Sequence, residues 1–439
     1  MSKSPFAFLT AWLRRPPTAL SQAAAGAPLL KRSPPVTPEQ PLAGLGMGAR
    51  RPMISATGAL AGFEFYLDAG LLSRLRASDA LVKKTYAANM VGAMRLCTAQ
   101  QLKAVAILPL DWLFELPDDQ FLPGMYFILD GNQALLDQTV LLPLMARLRR
   151  QGVLFGWCPS TAESLATELG RPDFISLAAP AAPTVAAWSL ALQKSAAEWP
   201  ALPHMLLDLP TVEVLEAVLR PPLVLAACAL ATSGATGRVQ ALLPQAQRLL
   251  HLLSLLVRDG ESKLLVADIK TDTALSLRLL HHLNSAGASP GRQLESIEDA
   301  VSVLGRRALY AWVAHMLVHL APPRPATQYL QALALARARL LELLAQAVGE
   351  PNPGALYLLG LASMLPQLLQ CSLAEAVSSL PLPPQAIAAL CEQSGPWQAY
   401  LALAQALEQG DMPAAEALAG PFGGLPAVLT YSVEVWRLS

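Results

Sequence analysis

Apolar and polar positions follow two different patterns along the chain, and the change falls near residue 237. Between residues 51 and 235, short apolar runs such as KAVAILPL and GMYFILD alternate with stretches of helical spacing. Buried strands separated by roughly 10–15 helical residues are typical of repeated β–α units around a parallel sheet. Seven such runs predict a small, closed or nearly closed (β/α) barrel.

From about residue 240 onward the strand pattern stops, and apolar residues recur at helical spacing. Asp272 is placed to cap one helix, and Ser296 with Asp299 forms a capping box for the next. Gly305 is placed for a left-handed turn between two helices. The sequence therefore predicts a multidomain chain, with an α/β barrel at 51–237 followed by an all-α domain at 238–439.

Residues 1–50 have a composition of their own. They hold eight of the 37 prolines and six basic residues against one acidic residue. This composition predicts a disordered, Pro-rich basic tail. The segment FAFLTAWLRR leaves a second alternative open, a short amphipathic helix that docks on a partner or touches a membrane.

Charge and apolar content narrow the class of protein. The 439 residues carry 32 Lys and Arg against 32 Asp and Glu, and a net charge of zero argues against a nucleic-acid binder. The longest apolar run, LVLAACALA, is shorter than the about 20 residues that span a bilayer. Five scattered cysteines without a CxxC pair favour reduced thiols over disulfides or a zinc site. We therefore expect a cytoplasmic protein with no integral membrane segment.

Two runs in the second half carry a family resemblance. DIKTDTALSLRLLHHLNSAG and LESIEDAVSVLGRRALYAWV resemble, in order, two signatures of the HDOD domain, a helical relative of HD-type metal phosphohydrolases. In those hydrolases an adjacent His-Asp pair binds metal. The matching helix here reads LYLLGLASMLPQLL, with Ser363 and Met364 in that region, and neither is a ligand for a hard metal. The resemblance implies a domain that acts by binding.

The first half resembles a degenerate EAL domain, a barrel that hydrolyses cyclic di-GMP with divalent metals in its active members. The resemblance rests on Arg51-Pro52-Met53-Ile54 followed by Gly62-Phe63-Glu64. An EAL-like barrel followed by an HDOD domain resembles the EAL–HDOD family of bacterial signalling proteins.

Few residues of an active EAL site remain. The resemblance places three carboxylates near the family's acidic positions, while the other strand ends lack the expected Asn, acids and Lys. Three scattered carboxylates do not make a two-metal cage. We therefore predict no catalytic residue, no metal site and no cofactor. The carboxylates are interpreted as vestigial ligand-binding residues: Glu64, Asp130 and Asp208.

These observations support two functional hypotheses of different classes. The first is a non-catalytic signalling scaffold that binds regulatory proteins, linked to cyclic di-GMP signalling by the resemblance. The alternative is a sensor that binds cyclic di-GMP or another nucleotide without cleaving it. Arg306 and Arg307 follow a glycine at a helix start, and they are either solvated charges or part of a partner or anion surface.

The spacing of two histidines raises one further site. His315 and His319 are four residues apart and share a helix face, a spacing that zinc sites use. No third ligand is in view, so we interpret them as ordinary helix residues.

Overall fold

The computed structural model describes residues 50–65, 73–75, 77–117, 120–131, 137–177, 179–182, 184–228, 241–257, 262–285, 296–378 and 382–437. The predicted tail, apart from Arg50, lies outside these residues, as does the predicted linker at 232–237.

Eight strands form one sheet in the first half of the chain. They are β1 (Arg50–Ile54), β2 (Leu60–Phe65), β3 (Lys103–Pro109), β4 (Met125–Asp130), β5 (Leu154–Trp157), β6 (Ile175–Leu177), β7 (His204–Leu209) and β8 (Leu223–Cys228). Their order is β5-β4-β3-β2-β1-β8-β7-β6. Neighbours pair in parallel except at β1, which runs antiparallel to β2 and β8.

The sheet closes almost completely at a seam between β5 and β6. The backbone N–H of Asp173 donates to the carbonyl of Phe155 at 2.7 Å, and the Asp173 carboxylate accepts from the Phe155 N–H at 2.9 Å. The Phe174 ring lies against Gly156, where an added Cβ would come within 2.5 Å of the ring. The predicted nearly closed barrel is confirmed.

Helices cover the outside of the barrel. They are α1 (Ala80–Ala99), α2 (Gln138–Arg150), α3 (Ala162–Leu169), α4 (Val185–Glu198) and α5 (Val212–Val218), with a 3-10 helix at Leu110–Glu115. Four of them begin at a short polar side chain that accepts an N–H of the first turn, as expected for N-caps. These caps are Asp79, Asp137, Thr184 and Thr211.

Alternate residues of the strands, together with Phe174 just before β6, fill the barrel interior. This interior cluster consists of Met53, Val105, Tyr126, Ile128, Phe174, Met205, Leu207, Leu225 and Ala227. Because side chains alternate across a strand, the residues between them face the helical layer.

The second half is helical throughout the residues described. Its helices are α6 (Pro244–Val257), α7 (Ser262–Lys270), α8 (Thr273–Ser285), α9 (Ile297–Val318), α10 (Thr327–Val348), α11 (Pro353–Ala362), α12 (Leu365–Leu369), α13 (Leu373–Ser378), α14 (Pro384–Ile387), α15 (Gln398–Gln409), α16 (Met412–Ala419) and α17 (Leu425–Arg437), with a π-helical turn at Ala388–Glu392 and a 3-10 helix at Gly420–Phe422. None of the helices among the residues described here is both long enough and apolar enough to cross a bilayer.

The predicted helix ends lie where the sequence places them. The Asp272 carboxylate accepts from the Leu275 N–H at 2.9 Å, and the Ser296 hydroxyl accepts from the Asp299 N–H at 3.0 Å. Gly305 has φ 71° and ψ 162°, which breaks α9 into two helical segments. A left-handed φ of this kind favours glycine.

The two halves meet in one continuous core. A single cluster of buried residues runs from Ile54, Leu206 and Cys228 of the barrel into the helical half. At its edge, Gly58 in the β1–β2 turn touches the loop before α10, and a Cβ there would lie 1.6 Å from the Pro325 carbonyl oxygen. The helical half therefore acts as part of the barrel's outer layer.

Side-chain contacts reinforce this joint. The Glu216 carboxylate of α5 accepts from the Ala326 N–H at 3.3 Å and lies 3.5 Å from the Arg324 guanidinium. The Phe63 ring of β2 contacts the Trp436 ring of α17 edge-on, with centroids 5.4 Å apart. The joint thus includes polar, charged and aromatic contacts.

Strand β1 is the element that the sequence pattern missed. Its five residues, RRPMI, include two arginines and a proline, so no apolar run marks it. The strand forms because Arg51 is buried by ion pairing and not because it is apolar. Its antiparallel direction also corrects the expectation of a wholly parallel sheet.

Candidate functional site

The carboxyl ends of the parallel strands bring three charged side chains together, and we call this group the mouth cluster: Arg51, Glu64 and Asp208. Arg51 lies opposite Glu64 in the β1–β2 pair. Glu64 is the last residue but one of β2, and Asp208 holds the same place in β7. This end of a (β/α) barrel is where ligand sites are usually built.

Arg51 is the centre of the cluster. Its Nε donates to Glu64 Oε2 at 2.7 Å, and its Nη2 lies 2.6 Å from the same oxygen. Its Nη1 donates to Asp208 Oδ1 at 2.5 Å. One guanidinium therefore engages two carboxylates that are far apart in sequence, the geometry for which arginine is suited.

Burial differs sharply within the mouth cluster. The side chains of Arg51 and Glu64 are 2% and 1% exposed, whereas that of Asp208 is 69% exposed. Burial lowers the pKa of Arg51, but the charges of Glu64 and Asp208 outweigh it and raise that pKa overall. Burial raises the pKa of Glu64, and Arg51 opposes this rise. Because two guanidinium N–H groups point at one Glu64 oxygen, we assign the buried pair as ionised at neutral pH.

Asp208 reaches Arg51 from an irregular point of β7. Its φ is 57°, in the left-handed region, and the pairing of β7 with β8 shifts register between Leu206 and Leu209. Asp tolerates this conformation better than most residues. The bulge turns the Asp208 side chain to a position where it meets Arg51.

Asp130 does not join the mouth cluster. Glu64 is in register with Val105 and, through it, with Tyr126, so Asp130 lies four residues further along β4. Four strand residues correspond to about 13 Å. The structure thus brings together two of the three predicted carboxylates and leaves Asp130 exposed and apart.

The residues present do not fit the divalent metals of an EAL phosphodiesterase. Such a site needs several oxygen ligands directed at one point. Glu64 and Asp208 are instead directed at a guanidinium. Within the parts of the chain described above, no three His, Cys, Asp or Glu side chains are grouped so that they could hold a metal ion.

A second buried arginine lies in the helical half. Arg337 of α10 is 3% exposed. Its Nε donates to Glu408 Oε1 at 2.8 Å, its Nη2 pairs with Glu408 Oε2, and its Nη1 donates to Ser363 Oγ at 2.8 Å. Ser363 and the buried Met364 stand in the region where the resemblance would place a metal-binding pair. A buried guanidinium therefore contacts Ser363 in the helical half, as that of Arg51 contacts Glu64 in the barrel.

The remaining predicted residues lie elsewhere. Arg306 and Arg307 follow the Gly305 kink in α9. His315 is buried and His319 exposed, with ring centroids 4.0 Å apart, so they share a face as predicted.

Arg51 is the central residue that sequence reasoning missed. It was recognised only as part of a motif. A signal was present, because Arg51 and Met53 are two apart and therefore share one strand face. An arginine on the face that carries an interior methionine requires a buried acidic partner.

Comparison with known families identifies the first part of the helical half. Residues 243–381 match the family model of the HDOD domain. The protein described as "Uncharacterized protein YuxH" of Bacillus subtilis (strain 168) is 28% identical over 145 residues, or 33% of this chain. The chain spans 36% of the length of that relative. The predicted HDOD domain is thus confirmed, while the helices after residue 381 lie outside the match.

A solved structure aligns with part of the chain. The EAL domain of Mycobacterium smegmatis DcpA is 15% identical, with a TM-score of 0.29, and the alignment covers 40% of this chain and 85% of that one. A TM-score this low carries no argument about the barrel. The barrel is established by its own strand order and closing seam.

Proposed function

We propose that this protein is a non-catalytic signalling protein that works by binding regulatory proteins in a pathway related to cyclic di-GMP. The HDOD domain at residues 243–381 supports a signalling role. The link to cyclic di-GMP rests on the resemblance of the first half to EAL domains. The observation that carries the proposal is the mouth cluster, whose two carboxylates are already bound by Arg51.

The chemistry of the barrel supports this proposal. Hydrolysis of a phosphodiester by metal ions needs free carboxylates to hold them and an activated water. Glu64 is 1% exposed and Asp208 shares the same guanidinium, so neither is free. The mouth cluster also carries one positive and two negative charges, a poor match for a ligand with two phosphates.

The helical half supports the proposal independently. The Ser363 hydroxyl donates to the Gly360 carbonyl at 2.6 Å and accepts from Arg337, which uses its hydrogen-bonding capacity within the protein. Met364 is 1% exposed. The engagement of Ser363 within the protein and the burial of Met364 support a role other than metal catalysis at this position.

Turnover and binding assays test the catalytic part of the proposal. The full chain is incubated with cyclic di-GMP and Mg²⁺ or Mn²⁺, and the nucleotides are separated by chromatography. We expect no product, and a flat calorimetric titration with the same nucleotide. Product whose formation is lost in Glu64→Gln would overturn the proposal. Binding without turnover would favour the sensor alternative.

A capture experiment tests the partner part. Full-length protein is used as bait in its native cells beside the double variant Arg306→Glu/Arg307→Glu. The control is Lys84→Glu/Arg95→Glu, which reverses two exposed charges on α1 of the barrel. We expect a stable partner that the control retains and the Arg306/Arg307 variant loses. Identical capture by both variants would remove this surface from the proposal.

A further inference from the structure

We infer that Arg51 takes the place of a divalent cation at the barrel mouth, so that the positive charge of this site is built into the chain. The inference rests on the proposed non-catalytic function and adds a cause to it. The site is not merely deprived of ligands. It is filled by a side chain that satisfies the ligands that remain.

The geometry of the mouth cluster is that of a bridged cation. Glu64 comes from β2 and Asp208 from β7, on the two sides of the β1–β8 pair. Arg51 projects from β1 between them and contacts each carboxylate at 2.5–2.7 Å. A cation at this place would hold the same two strands together.

The burial of Glu64 explains why a cation is needed at all. A carboxylate that is 1% exposed is strongly unfavourable unless a positive charge and hydrogen bonds compensate it. Arg51 supplies both through two donors to one oxygen. A metal ion would have to displace this guanidinium, which is fixed on a strand and permanently charged.

The helical half repeats the arrangement with one difference. Arg337 joins Glu408 of α15 to Ser363 after α11. Only one of these two partners is a carboxylate. Removing Arg337 would therefore leave a single acid, whereas removing Arg51 would leave two acids facing one space.

This difference provides an experiment with a matched control. The variant Arg51→Met keeps the length of the side chain and deletes its charge. Thermal unfolding of full-length wild type, Arg51→Met and Arg337→Met is followed in EDTA and in millimolar MnCl₂ or MgCl₂. We expect both variants to lose on the order of 5 °C in Tm in EDTA, because each leaves a buried acid unpaired.

The response to metal should then separate the variants. Mn²⁺ should raise the Tm of Arg51→Met by about 3 °C or more, since it can bind Glu64 and Asp208, and leave Arg337→Met and wild type unchanged. The double variant Arg51→Met/Glu64→Met should recover stability without metal, because nothing in it needs a cation. Arg51→Lys, which keeps the charge, should fold without metal and show no shift.

Two results would overturn the inference. The first is an Arg51→Met protein whose Tm is the same in EDTA and in MnCl₂, while the double variant folds normally. The second is an electron paramagnetic resonance signal from Mn²⁺ bound to the wild type that is lost in Asp208→Asn. Because the Asp208 side chain is exposed, we expect this variant to fold like the wild type. A wild type that neither binds Mn²⁺ nor turns over nucleotide, with an unresponsive Arg51→Met, would remove this inference and leave the proposed function standing.

Discussion

The imidazole of His315 lies in α9 with 6% of its side chain exposed. Burial, with the neighbouring His319 and His282, lowers the pKa of His315 to about 3. An unfolded histidine titrates near about 6.5. Between these two values the unfolded chain takes up a proton that the folded protein does not, so stability is complete above about pH 6.5 and is lost as the pH falls toward 3.

The first prediction concerns this residue. His315→Leu should reduce the loss of stability between pH 7.5 and pH 5 by about 2 kcal/mol relative to wild type. Urea unfolding at the two pH values measures the free energy of unfolding. The control is His251→Gln, which replaces an exposed histidine of α6 and should lose as much stability between the two pH values as wild type. A His315→Leu protein that loses as much stability as wild type between pH 7.5 and pH 5 would contradict the lowered pKa of His315.

At this scale the sequence predicted some side chains well and others poorly. Glu64 and Asp208 were predicted as acids of one site, and the structure brings both to Arg51. Asp130 was grouped with them because it ends a strand, yet strand register places it further along the barrel axis. The apolar pattern marks where each strand ends but not how neighbouring strands are shifted along the barrel axis. Which of the three carboxylates lie close together therefore could not be predicted.

Strand and helix elements were predicted where an apolar pattern marks them. The seven apolar runs contain β2 to β8, and Asp272 and Ser296 cap their helices as expected. Strand β1 was not predicted from the apolar pattern, because ion pairs with distant residues stabilise its buried Arg51. The contact that closes the seam between β5 and β6 was not predicted either, because a single residue, Asp173, makes it with one backbone bond and one side-chain bond to Phe155.

The second prediction concerns that seam. Asp173→Ala should lower the free energy of unfolding by about 1–3 kcal/mol, because the Phe155 N–H loses its acceptor and Arg149 loses its ion pair at 2.8 Å. Asp173→Asn keeps an acceptor and should lose less. Urea unfolding gives the energies, and hydrogen exchange reports the Phe155 amide. Equal stability of wild type and Asp173→Ala would show that the seam closes without this side chain.

At the scale of the whole molecule, one core joins the barrel to the helical half. Linkers between independent domains usually separate two cores. Here β1, β7 and β8 contribute outer-face residues to the core that the helices also fill. The predicted boundary near residue 237 therefore marks a change of secondary structure and not a gap in packing.

The third prediction follows from that shared core. Gly58→Ala places a methyl group against the Pro325 carbonyl and should destabilise the protein by about 2–4 kcal/mol. Exchange protection of β3 in the barrel and of α10 in the helical half should fall together. Gly92→Ala on α1, where a Cβ meets nothing within 4 Å, should lower neither, because alanine favours the helix more than glycine does. A loss confined to one half would mean that the halves unfold separately.

The shared core also bears on how the protein is synthesised. Strand β8 ends at Cys228, but helices α10, α15 and α17, which cover the adjoining outer face, lie between Thr327 and Arg437. At translation rates of about 5–20 residues per second, the ribosome needs roughly 10–40 s to make the intervening chain. During that interval the apolar outer face of β1, β7 and β8 has no helices to cover it. We therefore expect the unfinished chain to bind chaperones that recognise exposed apolar surface.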